Sequence, residues 1–201
     1  MKKVILSFLL LATLVFSQIG NNYTFTNAGT GTAYAYLTGG TTVTLSGGTD
    51  EGYANSLDIG FNFNFNGTTY DKFGVSTNGW MQLGNGNTNI TEALYSNVSS
   101  NIPYAAFIAP LWDDLDMTSG GIYYKTDGTA PNRVLTVEWK QAKWNYDASG
   151  AVISFQVKLY ENDGKIEFHY KQESVAVSSG TASICIATSS SNYYSVNNTF
   201  N

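Results

Sequence analysis

The chain has 201 residues and a formal net charge of −5, with apolar residues at 43%, aromatic residues at 14% and charged residues at only 12%. Its ten Lys and Arg residues form no cluster, so nothing is available to neutralise a phosphate backbone, which excludes nucleic acid as a partner. One cysteine (Cys185) and one histidine (His169) permit no intramolecular disulfide and no three- or four-ligand zinc site.

Met1-Lys2-Lys3 opens the chain, followed by an apolar run from Val4 to Phe16 broken only by Ser7 and Thr13. A short basic start, an apolar stretch of this length and the small residue Ser17 form the pattern of a secretory signal peptide. The run is too short for a membrane span, which needs about 20 apolar residues. Residues 1–17 are therefore expected to be a leader cleaved before Gln18, and the mature protein to be secreted or displayed on the cell surface. No cysteine flanks that site, which argues against a lipid anchor. The remaining residues, 18–201, suit a single domain of sandwich or barrel type.

Strand signals fill this domain. Residues 27–48 are Gly- and Thr-rich and read as loosely ordered. From Leu57 to Phe65 the pattern alternates strictly, with Phe61, Phe63 and Phe65 on one face, and Asn66-Gly67 closes a turn. The next strands run from Tyr70 to Leu83 through an Asn78-Gly79 turn. Only residues 91–100 suit a short helical turn. Ile108-Ala109-Pro110-Leu111-Trp112 then passes abruptly into Asp113-Asp114-Leu115-Asp116. Arg133–Lys140 places Leu135, Val137 and Trp139 inward and Thr136, Glu138 and Lys140 outward. Ile153, Phe155, Val157 and Leu159 form the next inward face. After the turn Glu161-Asn162-Asp163-Gly164 come Ile166, Phe168 and Tyr170. This predicts an all-β protein: an antiparallel β-sandwich of hairpins in a meander, half-buried on each strand, with little helix.

Four ordered motifs carry a resemblance. They are Phe73-Gly74-Val75-Ser76-Thr77-Asn78-Gly79-Trp80, Ile108–Asp114, Gly121-Ile122-Tyr123-Tyr124 and Leu135-Thr136-Val137-Glu138-Trp139. Over about residues 50–190 the chain resembles the nidogen-type extracellular domain, and more closely its bacterial relatives near the N-termini of large cell-surface proteins. The resemblance implies a β-sandwich used in adhesion or matrix contact, with no catalytic residues to carry over. Such relatives often continue into a C-terminal sorting domain. No such tail follows here, so the chain is expected to be a fragment or a relative secreted on its own.

Two kinds of site are legible. Asp113, Asp114 and Asp116 fit calcium, which takes six to eight oxygens. The alternative is that they accept backbone N–H bonds as ordinary turn aspartates. Adjacent carboxylates on an extended chain point to opposite sides, so at most two of the three would share an ion. No cofactor is expected beyond calcium. Trp144 and Tyr146, in a connection between strands, and Tyr193 and Tyr194, after a Ser/Thr run, are candidates to stack on sugars. For Trp144 the alternative is a ring capping the end of the core.

Enzyme readings fail on inventory. No Gly-x-Ser-x-Gly accompanies His169, and only an outward Glu138 and Glu167 pair leaves a glycoside-hydrolase reading. The expected function is a non-catalytic binding or adhesion module that recognises glycans or extracellular proteins through its end loops. Self-association through sheet edges is the alternative.

Overall fold

The computed structural model describes residues 19–27, 34–103, 105–178 and 180–196; the predicted leader, residues 1–17, lies outside them. Twelve strands form among the described residues: β1 (Thr41–Thr42), β2 (Tyr53–Phe65), β3 (Thr68–Ser76), β4 (Trp80–Gly84), β5 (Ala106–Trp112), β6 (Leu115–Asp116), β7 (Gly121–Asp127), β8 (Val134–Trp144), β9 (Ile153–Tyr160), β10 (Ile166–Gln172), β11 (Ser183–Ser189) and β12 (Asn192–Ser195). They build two antiparallel sheets of six. One runs β1-β7-β8-β9-β10 with β6 also pairing β8, and the other runs β12-β11-β5-β4-β3-β2. The expected all-β sandwich is present.

The alternation read from the sequence sets the inner faces. Phe61, Phe63 and Phe65 are buried while Asn62 and Asn64 are exposed. Asn66 and Gly67 both take positive φ, 51° and 82°, the geometry a two-residue hairpin needs to match strand twist. Across the β8–β9 hairpin, Leu135, Val137 and Trp139 oppose Leu159, Val157 and Phe155. Trp139 stacks on Phe155 with ring centres 5.0 Å apart, and its Nε1–H donates to the Ser76 carbonyl of the other sheet at 2.8 Å. Ile166 and Phe168 pack on this core, whereas the Tyr170 ring is 39% exposed and its hydroxyl turns in to donate to the Pro110 carbonyl.

Each outer face is covered in part, which alternation alone does not foresee. All seven residues of β5 are buried, so this strand needs apolar cover on both sides. Residues 85–103 cross its outer face and bring Ile90, Leu94 and Ile102 against Trp80, Phe107 and Trp112 in a second, smaller core. Both indoles donate to the Leu94 carbonyl. Here the helical turn expected within 91–100 forms only as a 3₁₀ turn at Ser99–Asn101. A four-residue helical turn at Ile19–Asn22 was not legible in advance; Ile19 is fully buried, and its N–H donates to Asn192 Oδ1 on β12.

On the other sheet the expectation for Glu138 is corrected. It points outward, but it is 0% exposed because residues 34–37 cross over it. Tyr34 Oη and the Leu37 N–H donate to Glu138 Oε1 at 3.0 and 3.1 Å, and Gln156 Nε2 bridges this oxygen and the Ala35 carbonyl. Burial and the adjacent carboxylate push the Tyr34 hydroxyl well above the ordinary tyrosine range, which keeps it a donor. The loose order expected across 27–48 therefore does not hold for residues 34–48; residues 28–33 lie outside the described residues.

Glycine has a strict role at the β3–β4 turn. Gly79 has φ +75°, and a Cβ there would meet the Leu111 carbonyl oxygen at 1.9 Å. Gly67 has φ +82° with open space around it. Gly67→Ala should thus cost about 1 kcal/mol, the strain of a left-handed backbone alone. Gly79→Ala should cost on the order of 4 kcal/mol, because β5 must also move. Urea unfolding of the two variants checks the contrast.

Candidate functional site

Four connections meet at one end of the sandwich: residues 46–52, 77–79, 113–114 and 145–150. Asn78, in the second of these, ties three other segments of the chain together. It is fully buried, its Oδ1 accepts the Leu115 N–H at 2.8 Å, and its Nδ2 donates to Glu51 Oε2 at 3.0 Å and to the Ala93 carbonyl at 3.2 Å. The Met117 N–H donates to the Thr49 carbonyl at 2.8 Å, which draws the 46–52 connection over the end of β6. In register, β6 sets Leu115 against Trp144 and Asp116 against Lys143.

This frame separates the three aspartates. Asp113 is buried, and its Oδ2 accepts the Trp144 Nε1–H and the Thr181 N–H, both at 2.8 Å. Its Oδ1 accepts the Asp114 N–H at 3.0 Å. Asp116 accepts the N–H and the hydroxyl of Thr118, each at 2.7 Å, and pairs with Lys143 at 3.4 Å. Partial burial raises its pKa, but the Thr118 and Lys143 bonds outweigh it and hold the carboxyl below the ordinary range.

Asp114 turns the other way. Its carboxylate comes together with those of Asp50 and Glu51, with oxygens of all three within 4.8 Å of one another. Partial burial is the main cause that raises all three; repulsion adds to it, from Asp116 at Asp50 against the pull of Lys143, from Asp50, Asp114 and Glu92 at Glu51, and from Asp50, Asp113 and Asp147 at Asp114. Two aspartates only two positions apart are thus driven in opposite directions. Among the described residues, Asp50, Glu51 and Asp114 form the grouping that can hold a metal. Calcium would draw the rest of its shell from backbone carbonyls and water. Sequence reasoning missed Asp50 and Glu51, and with them the bridging amide of Asn78, since nothing local links these residues to Asp114.

The aromatic candidates also part company. Trp144 is half-buried on the core, committed to Asp113, and its ring lies so close to Gly180 that a Cβ there would sit 2.6 Å from it. Tyr146 is 58% exposed, one residue beyond Asn145, whose N–H donates to the Asp114 carbonyl at 3.1 Å. Tyr193 and Tyr194 belong elsewhere: Tyr193 pairs with Ala187, which pairs with Phe107 near the opposite end of β5 from Trp112. Tyr193 is 40% exposed and Tyr194 packs partly on the core.

His169 Nε2 lies 3.0 Å from Glu167 Oε2, and Tyr160 and Lys165 also bond that carboxylate. Partial burial raises Glu167, yet these bonds prevail and bring it down to about 2.

The acidic grouping gives a signed prediction. A carboxylate raised on folding costs stability above its folded pKa, and the cost is relieved as pH falls through it. Asp114→Asn should therefore stabilise the protein at pH 7 by about 0.5 kcal/mol, a surface-charge magnitude. The gain should vanish towards pH 4, as melting temperatures in EDTA across that range would show. Asp113→Ala should act oppositely and cost about 3 kcal/mol, since it strands the Trp144 and Thr181 N–H donors; denaturant unfolding checks it.

No helix among the described residues is long and apolar enough to cross a membrane. No curated protein and no solved structure gives a match to the chain. A family model described as NIDO-related matches residues 22–201, a span wider than the motif-bearing stretch of about 50–190. The chain belongs to this nidogen-related family, whose domains are typically extracellular.

Proposed function

We propose that the domain is a non-catalytic binding module of a secreted or cell-surface protein, which engages a glycan or an extracellular protein through the end loops. The observation that carries this reading is the convergence of Asp50, Glu51 and Asp114, with the exposed Tyr146 one residue beyond the Asn145–Asp114 backbone bond. Partly exposed carboxylates accept hydrogen bonds from hydroxyl or ammonium groups or ligate calcium, and an exposed ring adds contact area at little entropic cost. The loops stand on packed strands and on the Asn78 bonds, so little ordering is needed on binding.

Two further features support a reading without catalysis. Glu138 lies under residues 34–37, away from any substrate, and His169 is held by Glu167. The leader pattern supports secretion. Self-assembly through sheet edges has less behind it. The free edge of β2 is bulged, with positive φ at Ser56 and Gly60, and β10 carries Glu167, His169 and Lys171, devices that discourage edge pairing.

The test is a glycan array and an extracellular-matrix protein panel probed with and without millimolar calcium. Tyr146→Ala is expected to weaken selective binding about tenfold, and Asp114→Asn to remove any calcium-dependent part. Binding that survives unchanged in both variants would refute recognition by the end loops.

A further inference from the structure

We propose that residues 34–37 are a hinged strap that fills, in cis, a recognition site for an extended, tyrosine-bearing peptide segment on the outer face of β8, β9 and β10. The site uses none of the end-loop residues. The strap, Tyr34-Ala35-Tyr36-Leu37, runs into Thr38-Gly39-Gly40. Gly39 has φ +68° and open space around it, so the chain can swing there by a change in a few backbone angles. Among the described residues no main-chain to main-chain hydrogen bond ties 34–40 to the sheet. The first come at β1 and at the Val43 N–H, which donates to the Ile122 carbonyl at 2.9 Å. Every bond that holds the strap ends on a side chain of β8, β9 or β10, or on Glu173 just past β10.

Those side chains read the strap as a neighbouring strand would. Glu138 accepts the Leu37 N–H at 3.1 Å, and Gln156 donates to the Ala35 carbonyl at 2.9 Å. Residues two apart in an extended chain present these groups on the same side, and the register sets Glu138 directly opposite Gln156. Alternation completes the match: Tyr34 and Tyr36 are half-buried while Ala35 between them is exposed. Tyr34 Oη donates to Glu138 and Tyr36 Oη to Glu173, and the ammonium groups of Lys140 and Lys171 lie 4.7 and 4.2 Å from the centre of the Tyr36 ring. Main-chain bonds with seats for alternate side chains are how sheets recognise extended peptides.

The strap is an imperfect occupant of this site. Beneath it Glu138, Ser154 and Gln156 are 0, 0 and 3% exposed, which is unusual for polar residues on the outer face of a sheet. Three donors converge on Glu138 Oε1, whereas Oε2 is buried without a partner among the described residues. A buried acceptor left in that state opposes closure, and lifting the strap returns it to water. A segment of the same form with one further N–H or O–H donor, placed to reach Oε2, satisfies the site better than the strap does and displaces it.

The experiment is native-state hydrogen exchange of the full chain across a urea series, followed by peptide titration. The Leu37 N–H, protected by Glu138 alone, is expected to exchange at least about a hundredfold faster than the core amides of β8 and β9, with little dependence on urea. Gly39→Ala, which strains the closed hinge, should speed that exchange at least about fivefold. Gly67→Ala, strained in the same way but remote from the strap, should leave it unchanged. The peptide acetyl-Tyr-Ala-Tyr-Leu-Thr-amide at millimolar concentration should shift the amides of Glu138, Gln156 and Lys171 saturably in Tyr34→Ala/Tyr36→Ala, where the strap is released. The parent should bind it at least about tenfold more weakly, because its own strap competes at a high effective concentration. The proposal is overturned if Leu37 exchanges with the same rate and urea slope as the core amides, which is read on the parent and needs no variant to fold. It is equally overturned if the peptide shifts nothing in the released variant, or if acetyl-Ala-Ala-Ala-Leu-Thr-amide shifts the same residues to the same extent.

Discussion

β5 has no polar position. Its run Ala-Phe-Ile-Ala-Pro-Leu-Trp is buried throughout, and burying each large apolar side chain is worth about 1.5–3 kcal/mol. A strand of this kind cannot lie in a simple two-layer sandwich with one wet face. It requires the 85–103 crossover on its outer side, and with that cover come the second aromatic core and the shared bonds of Trp80 and Trp112 to Leu94. It also fixes where the chain leaves the apolar interior. The first residue past Trp112 is Asp113, and the exit is abrupt enough to set a buried carboxylate and a partly exposed one side by side.

The polar groups follow the same logic of obligatory partners. Asn78 is buried because three connections need its amide, and Asp113 because two N–H groups would otherwise be stranded. Glu138 is sealed under residues 34–37 by donors to one of its oxygens, while Oε2 has no hydrogen-bond partner among the described residues. In the Asp50–Glu51–Asp114 grouping, by contrast, the fold brings three carboxylates together with only the Asn78 amide and the field of Lys143 to offset them.

Much of the fold was legible from alternation and turn chemistry. Phe61, Phe63 and Phe65, the Asn66-Gly67 hairpin and the inward Trp139 follow from a period of two and from residues that tolerate positive φ. The side of the sheet on which Trp80 and Trp112 are buried was not legible, because that depends on a crossover remote from both. Glu138 shows the limit most clearly. Its outward direction is local information, whereas its burial comes from residues a hundred positions earlier. The aspartates show the same divide. Their direction reversal was implied by adjacency, but the partners Asp50 and Glu51 arrive through pairings that no local pattern encodes.

The position of β11 has a consequence for the timing of folding. It pairs with β5 across most of the second half of the sequence, and β12, which completes that sheet, also receives the N–H of Ile19. For a chain that emerges from its N-terminus, one edge of the most apolar strand stays open until the last strands are made, and the first described residue waits for the last. Contacts so distant in sequence are slow to form. An unpaired apolar edge is also the surface most prone to association during that delay. The domain is therefore built to close late, with β5 open to other chains until β11 is available.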